Sequence, residues 1–191
     1  MSAVVDLAAV RAAPHVSHSA IASYMRCPRQ YESRYVRRLP PETRAASMAF
    51  GSAIHEVLAF FYTALREQRP EPGLADLVPI FEAAWAHQLD DAVPVLFDGR
   101  DTAASMAATG ADMLACFLEQ AARPAEVLAV EAPFSVEVVD PETGEVLRER
   151  LVGVFDAVVR DEDGSIRILE QSLPLKPQSW LGTGEVYYGF R

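Results

Sequence analysis

Two acidic residues stand where strand patterning would place apolar ones. In residues 151–172, LVGVFDAVVRDEDGSIRILEQS, Val152, Val154, Asp156 and Val158 share one face of an alternating run, and Phe155 and Val159 share the other. A second run puts Ile166, Ile168 and Glu170 in one row. Between them, Asp161-Glu162-Asp163-Gly164 is hairpin-turn chemistry, with Gly164 free to take a positive φ. Aspartate is disfavoured in strands, and burying its charge is costly unless it is paired or metal-bound. Two carboxylates side by side on adjacent strands can share a divalent cation. The same pattern also fits two strand-end acids that face solvent. His55, on a helix, adds an imidazole. One imidazole with two carboxylates suits Mg²⁺ or Mn²⁺. Such ions hydrolyse phosphodiesters by activating water and neutralising charge on the transferring phosphate.

The elements that must position these residues follow from periodicity. Ile54, Val57, Leu58, Phe61 and Leu65 form one apolar stripe, which predicts a helix over 43–68. Gly51 lies inside it at a cost of about 1 kcal/mol against alanine. It precedes His55 by one turn, and side chains lean toward a helix N-terminus, so the glycine leaves open space over that turn. A backbone, a metal or a phosphate could fill it. Further helices are predicted over 74–90 (Leu77, Ile80, Phe81, Ala84 and Trp85 inward) and 101–122 (Met106, Met113, Leu114, Phe117 and Leu118 inward), joined by linkers. Three strands follow as a meander: 126–139, 146–160 and 166–172, with a turn at Asp140–Gly144. Helices first and strands after give an α/β protein in an α+β arrangement. Upstream, residues 1–16 read as a loose lead-in. Ser17 or Ser19 caps a helix from about Ala20, and Pro28 either ends it near Arg26 or opens a second helix. Residues 173–191 read as an irregular tail, since Pro174 and Pro177 forbid a strand interior.

Length and composition bound the function. A chain of 191 residues, half of them hydrophobic, can build one ordinary domain, or one with an incomplete partner. It has no run of about 18 apolar residues, so no membrane span is expected. The start, MSAVVDLAAVRAAP, lacks the basic opening of a secretory signal. Cys27 and Cys116 do not make a disulfide framework, which points to a reducing, cytoplasmic setting. The net charge of −10 argues against a nucleic-acid partner, but the distribution is uneven. Residues 1–70 hold nine arginines against five acids, and 71–191 hold 22 acids against eight basic residues. Six arginines fall between Arg26 and Arg44, interleaved with Tyr24, Tyr31 and Tyr35. That stretch can hold phosphates, or it can be a solvated helix face. Lys176 is the single lysine.

Four motifs in order carry a resemblance: SxSAIASYMRCPRQYESRYV, AFGSAIHEVLAFFY, VExPFSVEV and LVGVFDAVV followed by DG and IRILE. Over roughly residues 17–172 the chain resembles the RecB-like branch of the PD-(D/E)XK nuclease superfamily. The resemblance implies a restriction-endonuclease-like core and a metal-dependent DNA nuclease of exonuclease type, serving repair or recombination. Gly51 and His55 match the family's G-x-x-x-H, and Gly153 and Asp156 match its G-x-x-D. His55, Asp156, Glu170 and the backbone carbonyl of Gln171 would then hold Mg²⁺ or Mn²⁺, with Asp156 and Glu170 as catalytic acids. Glu131 matches an acid of the strand before the site, and also reads as an ordinary strand-end acid. Arg26, Arg29, Tyr31, Arg34, Arg37 and Arg38 are the candidate contacts to DNA, and a helicase or other nuclease-complex subunit is a possible partner. Two departures qualify this. Where the family has lysine two residues after the acid, this chain has Ser172, with Lys176 the nearest substitute, and the helix that should follow is missing. These departures keep a second expectation open: a catalytically impaired nucleic-acid-binding module, or a remnant incomplete at the C-terminus. Cys27 matches the early cysteine of relatives with an iron–sulfur cluster, but no cysteine follows Cys116, so no cluster is expected within this chain.

Overall fold

The apolar stripe from Ile54 to Leu65 becomes a helix, and the chain changes from helices to strands where the patterning changes. The computed structural model describes residues 12–121, 123–170 and the backbone of 188–190. The order begins with β1 (His15–Ser17), α1 (His18–Arg26), α2 (Pro28–Tyr31), a π-helical turn (Glu32–Val36), β2 (Arg44–Ala45) and α3 (Ala46–Arg66). It continues with α4 (Leu74–Leu89), β3 (Val95–Leu96), α5 (Ala103–Gln120), β4 (Glu126–Val139), β5 (Val146–Arg160), β6 (Ile166–Leu169) and β7 (Tyr188–Phe190). Two compact units result: one from the residues up to Pro40 with Ala132–Phe155, the other from Pro41–Glu131 and from Asp156 onward.

In the first unit, Ser17 is the cap of α1: its Oγ accepts from the Ala20 N–H at 3.3 Å. Pro28 opens α2 as its first residue, where a missing N–H does no harm. His15 and Val16, read as loose lead-in, instead enter β1, which pairs in parallel with β5 from His15↔Arg150 to Ser17↔Val152. A three-residue strand carries too little period to be read from sequence. Gly153 has a packing reason: a Cβ there would lie 2.5 Å from the ring of Phe134. That ring stacks on Phe155 at 4.3 Å. Arg150 ties the hairpin across, donating to Ser135 Oγ at 2.8 Å.

The second unit is built on α3, α4 and α5. Phe50, Phe61, Tyr62, Phe81, Trp85 and Phe117 meet edge to face, with Phe61–Phe117 centroids 5.1 Å apart and Phe50–Phe81 5.6 Å. The buried Trp85 keeps its indole N–H satisfied by Ala103 O at 3.1 Å. By length and hydropathy α3 alone among the described helices reaches the range of a membrane span, a test that the core helix of a globular unit also passes, and half of that window is buried within the protein. Residues 91–100, read as a linker, contribute β3, which pairs in parallel with β2 (Arg44↔Val95, Ala45↔Leu96). Arg44 is pinned there, donating to Gln88 O at 2.7 Å and lying 3.6 Å from Asp91.

The end of β5 pairs antiparallel with β6, with Ala157↔Leu169 and Val158↔Ile168 in register. Gly164 takes φ +81° in the turn between them, as its position requires. The row that enters the helical core is Ala157 and Val159, both fully buried, and not the row of Asp156 and Val158. Alternation defines two faces of a strand; only the helices decide which is covered. The second strand also ends earlier than predicted, at Leu169, and its last two residues, Ile168 and Leu169, are both buried. Within the stretch read as an irregular tail, Tyr188–Phe190 pairs antiparallel with β6. Gln171, Ser172 and Lys176 lie outside the described residues.

Candidate functional site

His55 projects from the middle of α3, half exposed, with Gly51 one turn before it. A Cβ at Gly51 would meet nothing within 4 Å, so the space expected over that turn is open. The imidazole Nδ1 lies 3.4 Å from Asp156 Oδ1. Glu170 follows Leu169, the last residue of β6, which pairs with Ala157 next to Asp156, and the Asp156 and Glu170 charges act on each other. Like charges placed across a strand pair repel. Glu131 completes the group. It sits inside β4 with φ +49°, left-handed backbone that costs a non-glycine residue about 1–3 kcal/mol and concentrates at functional sites.

The electrostatics of the four groups are mutual. Hydrogen bonding to Asp156 raises the His55 pKa above the ordinary 6.5, against burial, and the charges of Asp156, Glu131 and Glu170 add to the rise. Burial pushes the Glu131 carboxyl above the usual 4.5, reinforced by Asp156 and opposed by His55. Burial likewise raises Glu170, followed by Asp156 and Glu131 as repelling charges, with His55 again opposing. Around one imidazole, Glu131 and Glu170 thus hold protons more readily than free carboxylates do. Such a cluster attracts cations and stores protons.

As a cradle for a divalent metal, the arrangement falls short. A cation needs several donors converging on one point. His55 and Asp156 are adjacent, with Glu170 and Glu131 in electrostatic range. Among the described residues, however, no three His, Cys, Asp or Glu side chains are grouped so as to hold a metal ion. Gln171, whose backbone carbonyl is the remaining expected donor, lies outside the described residues.

Of the residues singled out from sequence, His55 and Asp156 are in contact, and Glu170 lies near enough for its charge to act on His55. Arg26, Arg29, Tyr31 and Arg34 lie on α1, α2 and the turn after it, and Arg37 and Arg38 directly follow that turn, all in the first unit. Glu131 is the member whose part in the cluster the sequence left open. Its signals were an acid interrupting the Val-rich run EVLAVEAPF, which ordinary strand-end acids share, and a match to an acid of the strand before the site in the resemblance.

A family model for the PD-(D/E)XK nuclease superfamily matches residues 15–171. The chain belongs to that superfamily. Its members generally use divalent cations, and the order of N-terminal helices and C-terminal strands is the restriction-endonuclease-like α/β arrangement. No curated protein and no solved structure matches the chain.

Proposed function

We propose that this chain is a nucleic-acid-binding module of the RecB-like branch whose centre is impaired for cleavage. The observation that carries this reading is the donor set. His55 is engaged by Asp156, no third ligand converges with them among the described residues, and Ser172 stands where the branch has a lysine. Binding falls to the arginine–tyrosine segment of the first unit, with DNA as the polymer. A cytoplasmic setting, with a helicase or other nuclease subunit as companion, belongs to the same reading; two free cysteines agree with a reducing compartment.

A second reading is a working Mg²⁺- or Mn²⁺-dependent deoxyribonuclease, with Lys176 replacing the missing lysine. The mutual charge of Asp156, Glu170 and Glu131 favours it, because crowded acids bind a cation to relieve their repulsion. Calorimetric titration with Mn²⁺, on wild type and Asp156→Ala, together with degradation of linear DNA, separates the two. The impaired-module reading expects no saturable Mn²⁺ binding, no degradation, and a DNA affinity that falls steeply with salt. Mn²⁺ binding and degradation that both vanish in Asp156→Ala would replace it with the second reading.

A further inference from the structure

The N-terminal helices of the first unit carry a surface that the acid cluster does not explain. Tyr31 and Tyr35 stack with centroids 5.3 Å apart, and Tyr24 meets Tyr31 edge-on at 5.4 Å. The Arg34 guanidinium lies over the Tyr35 ring at 5.6 Å. Tyr24, the outermost ring, is 55% exposed, and Met25 beside it is 81% exposed. Exposed aromatic and apolar surface of this kind marks a binding site.

Charge says what binds there. Between Ala20 and Leu39 the chain holds five arginines and one acid, Glu32. Among the described residues none of Arg26, Arg29, Arg34, Arg37 and Arg38 has an ion-pair partner, and all five are exposed. Arg44, Arg69, Arg123, Arg150, Arg160 and Arg167 are all paired. Arg66, Arg100 and Arg148 also lack an acidic partner among the described residues, so five of the eight such arginines lie on the segment that carries the rings. The backbone there is unusual as well: a π-helical turn at Glu32–Val36, and Arg38 at φ +51°. Irregularities of both kinds recur at functional sites.

We propose that this segment is a platform for single-stranded DNA, on which Tyr24 stacks an unpaired base while the five arginines follow the phosphates. A duplex offers the same phosphates, but its base faces are already stacked on one another and closed to a tyrosine ring. Only an unpaired strand uses both features of the surface. The inference deepens the nucleic-acid reading above and rests on it for the class of polymer.

The test is fluorescence anisotropy of the full chain with a labelled mixed-sequence single strand and with its duplex, in EDTA so that metal and cleavage play no part. The single strand binds more tightly than the duplex. Tyr24→Ala weakens single-strand binding by about tenfold, leaves duplex binding unchanged and leaves the salt dependence intact, while Tyr24→Phe restores affinity. Replacing Arg29 and Arg37 with glutamine lowers the single-strand salt slope by roughly 0.7 for each phosphate that is no longer neutralised. Equal affinity for the two forms, or a Tyr24→Ala chain that binds single strands like wild type, overturns the platform. So does a chain with no affinity for either polymer, which would give the surface to a protein partner. Cleavage in Mn²⁺ by a chain that shows the Tyr24 dependence overturns only the impaired-centre reading. Duplex binding without discrimination overturns only the platform.

Discussion

Two faces of one helix obey different rules. On its inner side, α3 gives Phe50, Ile54, Val57, Leu58 and Phe61 to a core with α4 and α5, and no charged side chain is buried in the described residues. On its outer flank, His55 meets Asp156, with Glu170 and Glu131 crowding their charge around it. The inner side follows periodicity and close packing, and each residue there adds stability. The flank violates both, placing acids in strand positions and one of them on left-handed backbone. A fold tolerates such a cost where function requires it. Two helical glycines mark the contrast: Gly110 is occupied space, and Gly51 is empty space.

The largest effect is therefore expected at Gly110. A Cβ there would lie 2.1 Å from Phe81 Cζ, deep between α4 and α5, where the ring has no room to retreat. Gly110→Ala gains helix propensity but overpacks the core, for a net loss of about 1–3 kcal/mol. For a chain of this size that lowers the melting temperature by roughly 2–4 °C per kcal/mol. Thermal unfolding followed by circular dichroism measures it. An unchanged midpoint would mean the core yields as readily as the flank, and the contrast between the two faces would dissolve.

How much of this was legible in the sequence divides along the same line. The stripe from Ile54 to Leu65 predicted α3, and Pro28, Ser17 and Gly164 took the roles their chemistry assigns. A helix period, a strand period and a turn fix the separate places of His55, Asp156 and Glu170; that His55 and Asp156, about a hundred residues apart, would meet was implied by the family resemblance. What was missed depends on contacts distant in sequence. β1, β2 and β3 have two or three residues each, too few to show a period. That Ala157 and Val159, not Val158, enter the core is decided by the helices. The strained backbone of Glu131 and the ring over Gly153 come from neighbouring chain, not from residue type. Arg44 looked like one more basic residue of the arginine run, yet it is anchored to Gln88 and Asp91.

Gly51 offers the intermediate effect, with the opposite sign. Nothing stands within 4 Å of a Cβ placed there, so alanine relieves the glycine penalty without a clash. Gly51→Ala should stabilise by about 1 kcal/mol, measured by urea denaturation at constant m. A gain would show that packing does not require this glycine and that the gap beside His55 is kept for something else. A loss of stability would mean that the gap is filled in solution, and Gly51 would join Gly110 as a packing glycine.

The smallest effect is a pH dependence, and its sign follows from the cluster. His55 has a raised pKa in the folded state, so its contribution is complete below about 6.5 and is lost as pH rises through the higher folded value. Glu131 and Glu170 have raised values as carboxyls. They cost nothing while protonated in both states and cost most once ionised in the fold. All three therefore make the protein more stable as pH falls from above the His55 value toward about 4.5. The window closes in stronger acid. Backbone N–H donation from Glu142 holds Asp140 below the usual carboxylate range, and the Ser165 hydroxyl does the same for Asp163. Their stabilisation is present above about 3.8 and disappears as pH falls through the lower folded values. Melting temperatures across this range should rise toward mild acid for wild type. Glu170→Gln should raise the midpoint at neutral pH and flatten the slope, because it removes a charge that Asp156 repels. Partial exposure and screening keep the change small. If the two profiles superimpose, Glu170 does not feel Asp156 in solution, and the flank of α3 is as relaxed as its core.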